Sequence, residues 1–151
     1  MSQQGVLRYI HVTETLPLRK KALKPFLSIE ECINPEDSEA STFHLGLSFK
    51  DNLICVASFS YQACPLLHAG APYRLRGMVT DEKYRSQGFG AQLLSFAQDQ
   101  LRKKRCDLIW CNARITAMPF YESIGFRGLG ELFELPGIGV HKVMYKILNP
   151  R

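Results

Sequence analysis

The stretch LRGMVTDEKYRSQGFGAQLL, from Leu75 to Leu94, constrains this chain more than any other, because it joins an apolar strand to a helix through a charged turn and two glycines that flank one residue. Gly88 and Gly90 carry no Cβ, so the backbone there can approach an oxyanion closely. The residues that follow open a helix whose first N–H groups and dipole favour negative charge. Arg85, three residues before Gly88, can add a charge-assisted contact. The stretch therefore predicts a site for phosphate.

A lone Gly-x-Gly fits several phosphate loops as well as an ordinary turn before a helix. A dinucleotide-binding G-x-G-x-x-G needs a small residue at position 93, where Leu93 stands, and a Walker loop needs a Gly-Lys-Ser/Thr that is absent. What remains is R-x-x-G-x-G, here Arg85-Ser86-Gln87-Gly88-Phe89-Gly90. It resembles the coenzyme A pyrophosphate loop of the GCN5-related N-acetyltransferases, the GNAT superfamily. Downstream, IWCNARITAMPFYESIGF resembles the second signature of the same superfamily: strand, Asn, short helix with Phe-Tyr, then Gly-Phe. The resemblance covers roughly residues 43 to 148 and is specific in residues 75 to 126.

The chain of 151 residues, 46% of them hydrophobic, has the size of one domain with a single sizeable core, spanning residues 1–151. Its net charge of +5 would suit a polyanionic ligand. The basic residues are dispersed apart from Arg19-Lys20-Lys21 and Arg102 to Arg105, short clusters that read as solvated helix faces, so no nucleic-acid partner is expected. Five cysteines, an odd number without a C-x-x-C pair, indicate neither a disulfide framework nor a metal site. With no signal-peptide run and no 18 uncharged apolar residues together, a soluble cytoplasmic protein without a membrane partner is expected.

In chain order, residues 5 to 12 alternate as a first strand, and Thr13 or Thr15 can cap a helix running to about Lys24, with Pro17 in its first turn. Residues 28 to 41 are polar and irregular, with Ser28-Ile-Glu-Glu allowing a short capped helix and Asn34-Pro35 a turn. Residues 43 to 50 and 53 to 62 form a hairpin around Asp51-Asn52. Residues 73 to 80 lead into the phosphate loop. Phe89, Leu93, Ala97 and Leu101 mark the apolar face of a helix over residues 89 to 105, and residues 108 to 113 read as a buried parallel strand, completing a right-handed βαβ unit. Thr116 can cap a second short helix that ends at Gly125, and residues 126 to 134 and 140 to 148 form two last strands.

This order matches the fold that the resemblance implies. That fold is α/β, with a mixed, mostly antiparallel sheet of about seven strands, helices on both faces and a splayed parallel pair at the cofactor site. The resemblance further implies an acetyl-coenzyme A dependent N-acetyltransferase that passes the acetyl group directly to the amine of a small molecule or other acceptor. A non-catalytic acyl-coenzyme A binding or sensing module is the alternative. A homodimer is a further implication, since the final strands often make dimer contacts in the family.

Carried over residue by residue, the backbone of Met78, Val79 and Thr80 meets pantetheine and polarises the thioester carbonyl. Arg85, Ser86, Gln87, Gly88, Phe89 and Gly90 hold the pyrophosphate, and Asn112 meets pantetheine from the end of the second parallel strand. Tyr121 matches the family tyrosine near the thiolate that acts as general acid. The family fixes no general base; His44 and His141 are the titratable residues placed by topology towards the acceptor, and both are candidates for base and for acceptor binding. Asp37 and Arg114 are further acceptor candidates. Each has a plain structural reading beside the functional one: core or turn for the side chains, a solvated carboxylate for Asp37, a surface arginine for Arg114.

Overall fold

A computed structural model describes residues 3–149 of the chain. The elements run β1 (Val6–Ile10), α1 (Val12–Ala22), β2 (Phe43–Phe49), β3 (Asn52–Tyr61), β4 (Pro72–Thr80), α2 (Phe89–Lys103), β5 (Leu108–Arg114), α3 (Met118–Ser123), β6 (Arg127–Leu135) and β7 (Gly139–Ile147), with short 3₁₀ turns between some of them. The seven strands form one mixed sheet in the order β1-β2-β3-β4-β5-β7-β6. Among the described ladders β4 with β5 is the parallel one, over Pro72–Leu108, Tyr73–Ile109 and Arg74–Trp110, and the others are antiparallel.

The chain divides into two compact units, Met1–Ser60 with Leu75–Gln100, and Tyr61–Arg74 with Leu101–Arg151. In the first unit, adjacent residues of β1 point to opposite faces, as the pleat requires. Ile10 packs with Leu18 of α1, Val56 and Val79, whereas the Tyr9 hydroxyl donates to Gln100 of α2 at 3.1 Å. The two helices therefore cover opposite faces. The expected stripe of α2 is buried as its spacing requires, with Phe89, Leu93, Ala97 and Leu101 at most 1% exposed.

The second unit is built on β5 and β7, which pair from Leu108–Ile147 to Arg114–His141. Trp110 is its anchor: its indole N–H donates to the Gln62 carbonyl at 2.8 Å, the Arg74 guanidinium lies over its ring at 5.0 Å, and Cys64, Leu108 and Val143 pack around it. The Asp107 carboxylate accepts the amides of Gly70 and Ala71, both at 2.9 Å, and so fixes the entry to β4.

Three local expectations are corrected. The cap of α1 is His11, not Thr13 or Thr15, in a reciprocal box with Glu14, which starts the helix earlier and leaves Pro17 inside it rather than in its first turn. The first hairpin turns on Lys50 and Asp51, both at positive φ (51° and 66°), one residue before the expected pair. The short helix α3 is capped by Ala117 after a 3₁₀ turn at Ile115–Ala117, so Thr116 lies in that turn.

The Lys50-Asp51 turn yields a prediction. A two-residue hairpin with both φ positive suits Asn-Gly, and each left-handed non-glycine residue costs about 1–2 kcal/mol. Replacing Lys50→Asn and Asp51→Gly together should raise stability by about 1 kcal/mol after the entropy of the added glycine is deducted. For a chain of this size that is a rise of about 2–4 °C in Tm, read by thermal unfolding.

Candidate active site

Gly88 is exposed at φ 86°, a conformation that a Cβ strongly disfavours. The first intrahelical bond runs from the Gln92 amide to the Gly88 carbonyl at 3.1 Å, so the amides of Phe89, Gly90 and Ala91 have no carbonyl one turn back to donate to. Arg85 is tethered by its Nε, which donates to the Thr80 carbonyl at 3.3 Å, and its terminal nitrogens have no partner among the described residues. Ser86 is itself left-handed at φ 61°, and the Gln87 side chain donates from Nε2 to the Lys83 carbonyl at 3.3 Å. Phe89 offers only its backbone, because its ring is in the core, 5.0 Å from Phe49. Gly90 is buried as well. Upstream, the register of β4 with β5 ends at Arg74, although β4 continues through Met78 and Val79 to Thr80.

The first unit also contains a buried polar chain. Alternation along β1, β2 and β3 puts Ile10, His44 and Ser58 on the face that α1 covers, and α1 sends Arg19 into it. The Arg19 guanidinium donates to both Asp37 oxygens, at 2.7 and 3.0 Å, to the Cys32 carbonyl at 3.1 Å and to the Ser58 hydroxyl oxygen at 2.9 Å. Ser58 Oγ lies 2.7 Å from His44 Nδ1. The Arg19 and Asp37 side chains are 3% and 4% exposed.

Asp37 is thus no loose loop carboxylate: its oxygens are taken by Arg19 and by the Asn34 amide at 2.7 Å. Burial alone would raise its pKa, but the hydrogen bonds from Arg19 and Asn34 and the Arg19 charge outweigh burial and hold it below the ordinary value. For His44, burial lowers the pKa and the Arg19 charge adds to that, while Asp37 pulls the other way; the net shift is downward, so the ring is neutral at pH 7.

In the second unit, alternation places Trp110, Asn112 and Arg114 of β5 on one face together with His141 and Val143 of β7. His141, 4% exposed, bonds the Gly139 carbonyl through Nδ1 at 2.8 Å and stacks on Phe133 with ring centroids 5.9 Å apart. Tyr121 belongs to the other face. It is buried against Phe120 and Phe126, and its hydroxyl hydrogen-bonds the Cys111 thiol. The face shared by Asn112, Arg114 and His141 is therefore not the one that holds Tyr121.

The cysteines are all buried and free. Burial pushes the thiols of Cys55 and Cys106 up to about 11 and that of Cys111 to about 12, which withholds the nucleophilic thiolate at neutral pH. Among the described residues no cluster of histidine, cysteine, aspartate or glutamate could hold a metal ion, and no helix is long and apolar enough to cross a membrane. Sequence reasoning missed Arg19 and Ser58, which read as one member of a basic cluster and a strand serine. Asn34-x-x-Asp37 did carry a signal, since that spacing is a capping box and its turn is ordered.

Compared with known proteins, residues 3–147 match the family model described as an acetyltransferase (GNAT) domain. A Bacillus subtilis (strain 168) protein named as the uncharacterized N-acetyltransferase YitI is 44% identical over 143 residues, covering 95% of this chain and 96% of that one. Escherichia coli ElaA superposes with a TM-score of 0.73 at 20% identity, covering 95% of this chain and 99% of the other. An aminoglycoside 6'-N-acetyltransferase complexed with coenzyme A gives 0.73 at 14% identity, covering 97% and 98%. At these identities the two structures bear on the fold.

The buried ion pair yields a prediction. Removing one partner of such a pair leaves an uncompensated charge and costs about 3–5 kcal/mol, so Asp37→Ala should lose stability on that scale in urea unfolding at pH 7. With its folded pKa depressed, the Asp37 contribution is fully present above the unfolded value, 3.8, and is lost as pH falls through the lower folded value. The deficit of Asp37→Ala should accordingly shrink as unfolding is measured at pH values falling below 3.8.

Proposed function

The chain belongs to the GNAT acetyltransferase family, and on that basis we propose that it transfers the acetyl group of acetyl-coenzyme A directly to the amine of a small molecule or other acceptor. The observation that carries this reading is the opening of α2, where Gly88 at φ 86° and the amides of Phe89, Gly90 and Ala91 suit a diphosphate. The acetyltransferase name borne by the relative at 44% identity supports it. In this proposal Arg85 adds charge, Ser86, Gln87, Phe89 and Gly90 contribute through the loop backbone, and the backbone of Met78, Val79 and Thr80 receives pantetheine, a role that the family resemblance also gives to Asn112.

Acetyl-coenzyme A supplies an acyl group activated as a thioester. The protein has little covalent work of its own, and the raised thiol pKa values argue for direct transfer over a cysteine-bound acyl group. The chain orients, excludes water and handles two protons. Tyr121 holds one of them on its hydroxyl, in a bond to Cys111 that keeps the phenol aligned until a better acceptor arrives. A phenol with a reference pKa of about 10 can supply a thiolate whose acid has about 8.5 at modest cost. Arg114 is assigned to an anionic group of the acceptor, on the face it shares with His141.

The proposal treats residues 1–151 as one domain, since the family match runs across both compact units. It places the enzyme in the cytoplasm, without nucleic-acid or membrane partners. A homodimer through the final strands is part of it: β6 is an edge strand of the sheet and Leu132 on it is 57% exposed.

Two variants test the reading. Gly88→Val forces a β-branched residue into a left-handed conformation, and coenzyme A affinity by calorimetry should fall at least tenfold with the fold retained. Unchanged affinity would remove the pyrophosphate from this loop. Tyr121→Phe should slow the single-turnover rate of acetyl transfer by about 10²- to 10⁴-fold with coenzyme A affinity little changed. Coenzyme A binding without transfer by the wild type to any of a panel of amines would mean a sensing module.

A further inference from the structure

The guanidinium of Arg19 touches more than its partners in the polar chain of the first unit. Its Nε, buried and without a hydrogen-bond partner among the described residues, is turned towards β4. A Cβ at Gly77 would meet that nitrogen at 3.1 Å, and Cζ and Nη2 at 3.8 Å. Gly77 itself stands within the strand at φ 59°. Conformation and space therefore both require glycine here, because a side chain would be strained by the first and pressed on Arg19 by the second.

Adjacent residues of a regular strand point to opposite faces, and β4 breaks that rule at this place. Arg76 Nη1 pairs with Glu36 at 3.3 Å, in the same 3₁₀ turn as Asp37. The missing Cβ of Gly77 would point at Arg19, and Val79 packs with Ile10, Leu18 and Val56. Three positions, two of them adjacent, thus face α1 and its turn. One residue too many for the pleat is a β-bulge, in which a left-handed glycine is a regular member. Beyond it the Asp81 amide donates to the Ile54 carbonyl of β3 at 2.7 Å. Were the bulge to straighten, every residue from Met78 onwards would turn over, as after any slip by one. Val79 would leave the core, and the N–H groups of Met78 and Thr80 would point to the opposite side of the strand.

We infer that Arg19 is a positioning residue of the acetyl transfer, because it locks the bulge that aims the backbone of Met78, Val79 and Thr80. The inference rests on the transferase reading above, in which that backbone receives pantetheine. Nη1 and Nη2 are tied by Asp37 at 2.7 and 3.0 Å, by the Cys32 carbonyl at 3.1 Å and by the Ser58 hydroxyl at 2.9 Å. A planar guanidinium fixed along two edges has no freedom left in the third, the one set against Gly77. A straightened strand would carry the Met78 side chain to the α1 face in place of Gly77, against a group that these four bonds keep from moving aside.

The test uses the full chain and two readouts. Arg19→Met together with Asp37→Asn removes both charges of the pair, so neither is left buried alone, and an amide oxygen can still accept from Asn34. The Asp81 amide should then exchange its hydrogen at least about tenfold faster, since a straightened strand loses the Ile54 carbonyl, while amides of the β1–β2 ladder keep their wild-type rates. With an amine that the wild type acetylates, kcat should fall about 10²-fold and KM for acetyl-coenzyme A should stay within about threefold. Unchanged exchange at Asp81 would overturn the inference, and so would equal acceleration in the β1–β2 ladder, the mark of a merely structural loss. Faster exchange at Asp81 with wild-type kcat would overturn the positioning role. If the double variant does not fold, Arg19→Lys, which keeps a charge for Asp37 but no planar edge for Gly77, is judged by the same two readouts. A wild type that acetylates no amine counts against the transferase reading instead, and the exchange rates still decide whether Arg19 holds the bulge.

Discussion

The interaction on which the buried polar chain of the first unit depends is the pair of Arg19 and Asp37. Two charges this deep gain little net stability, because desolvation offsets most of their attraction. What they supply is direction. Arg19 reaches from α1 to a carbonyl, a carboxylate and a hydroxyl on three other segments, and because guanidinium can only donate, every group it touches is forced to accept. The 3₁₀ turn at Pro35–Ser38 is organised by the same carboxylate, whose second oxygen accepts the Asn34 amide. A polar segment that looks irregular in sequence is thereby fastened to a helix.

A hydrogen-bond partner can decide what a titratable side chain does, and the two histidines show how. Burial depresses the charged form of His44, whose Nδ1 lies 2.7 Å from a Ser58 hydroxyl that already accepts from Arg19. His141 meets instead a carbonyl two residues earlier in its own strand. The same residue type thus faces a hydroxyl that can donate or accept in one strand and a carbonyl that only accepts in another.

Much of the architecture was legible in the sequence. The four-residue spacing of Phe89, Leu93, Ala97 and Leu101 fixed the buried face of α2, and the apolar run from Leu108 defined β5, because helical and strand periods are local geometry. Gly88, read for its missing Cβ, stands at a helix start with φ 86°, and Gly125, read as the exit of α3, has φ 95°. Turn and cap identities were less legible: His11 is a rarer cap than threonine, and Lys50-Asp51 adopts positive φ without the glycine that usually signals it.

Tertiary structure alone decided what His44 touches. Near the turn the hairpin pairs Phe49 with Asn52 and Ser48 with Leu53, and that register continued unbroken would set His44 opposite Ala57. A bulge between Leu47 and Ser48 shifts it by one residue and brings Ser58 there instead, since one added residue changes every pairing beyond it. Nothing local in the sequence marks that bulge; the extra residue, Ile54, gives its carbonyl to the Asp81 amide from β4's far end. The periodic pattern of this chain determined its strands and helices by short-range sterics. The partners of Arg19, Ser58 and His44 depended on a register shift and on a contact across 18 to 39 residues of sequence, which only the folded sheet supplies.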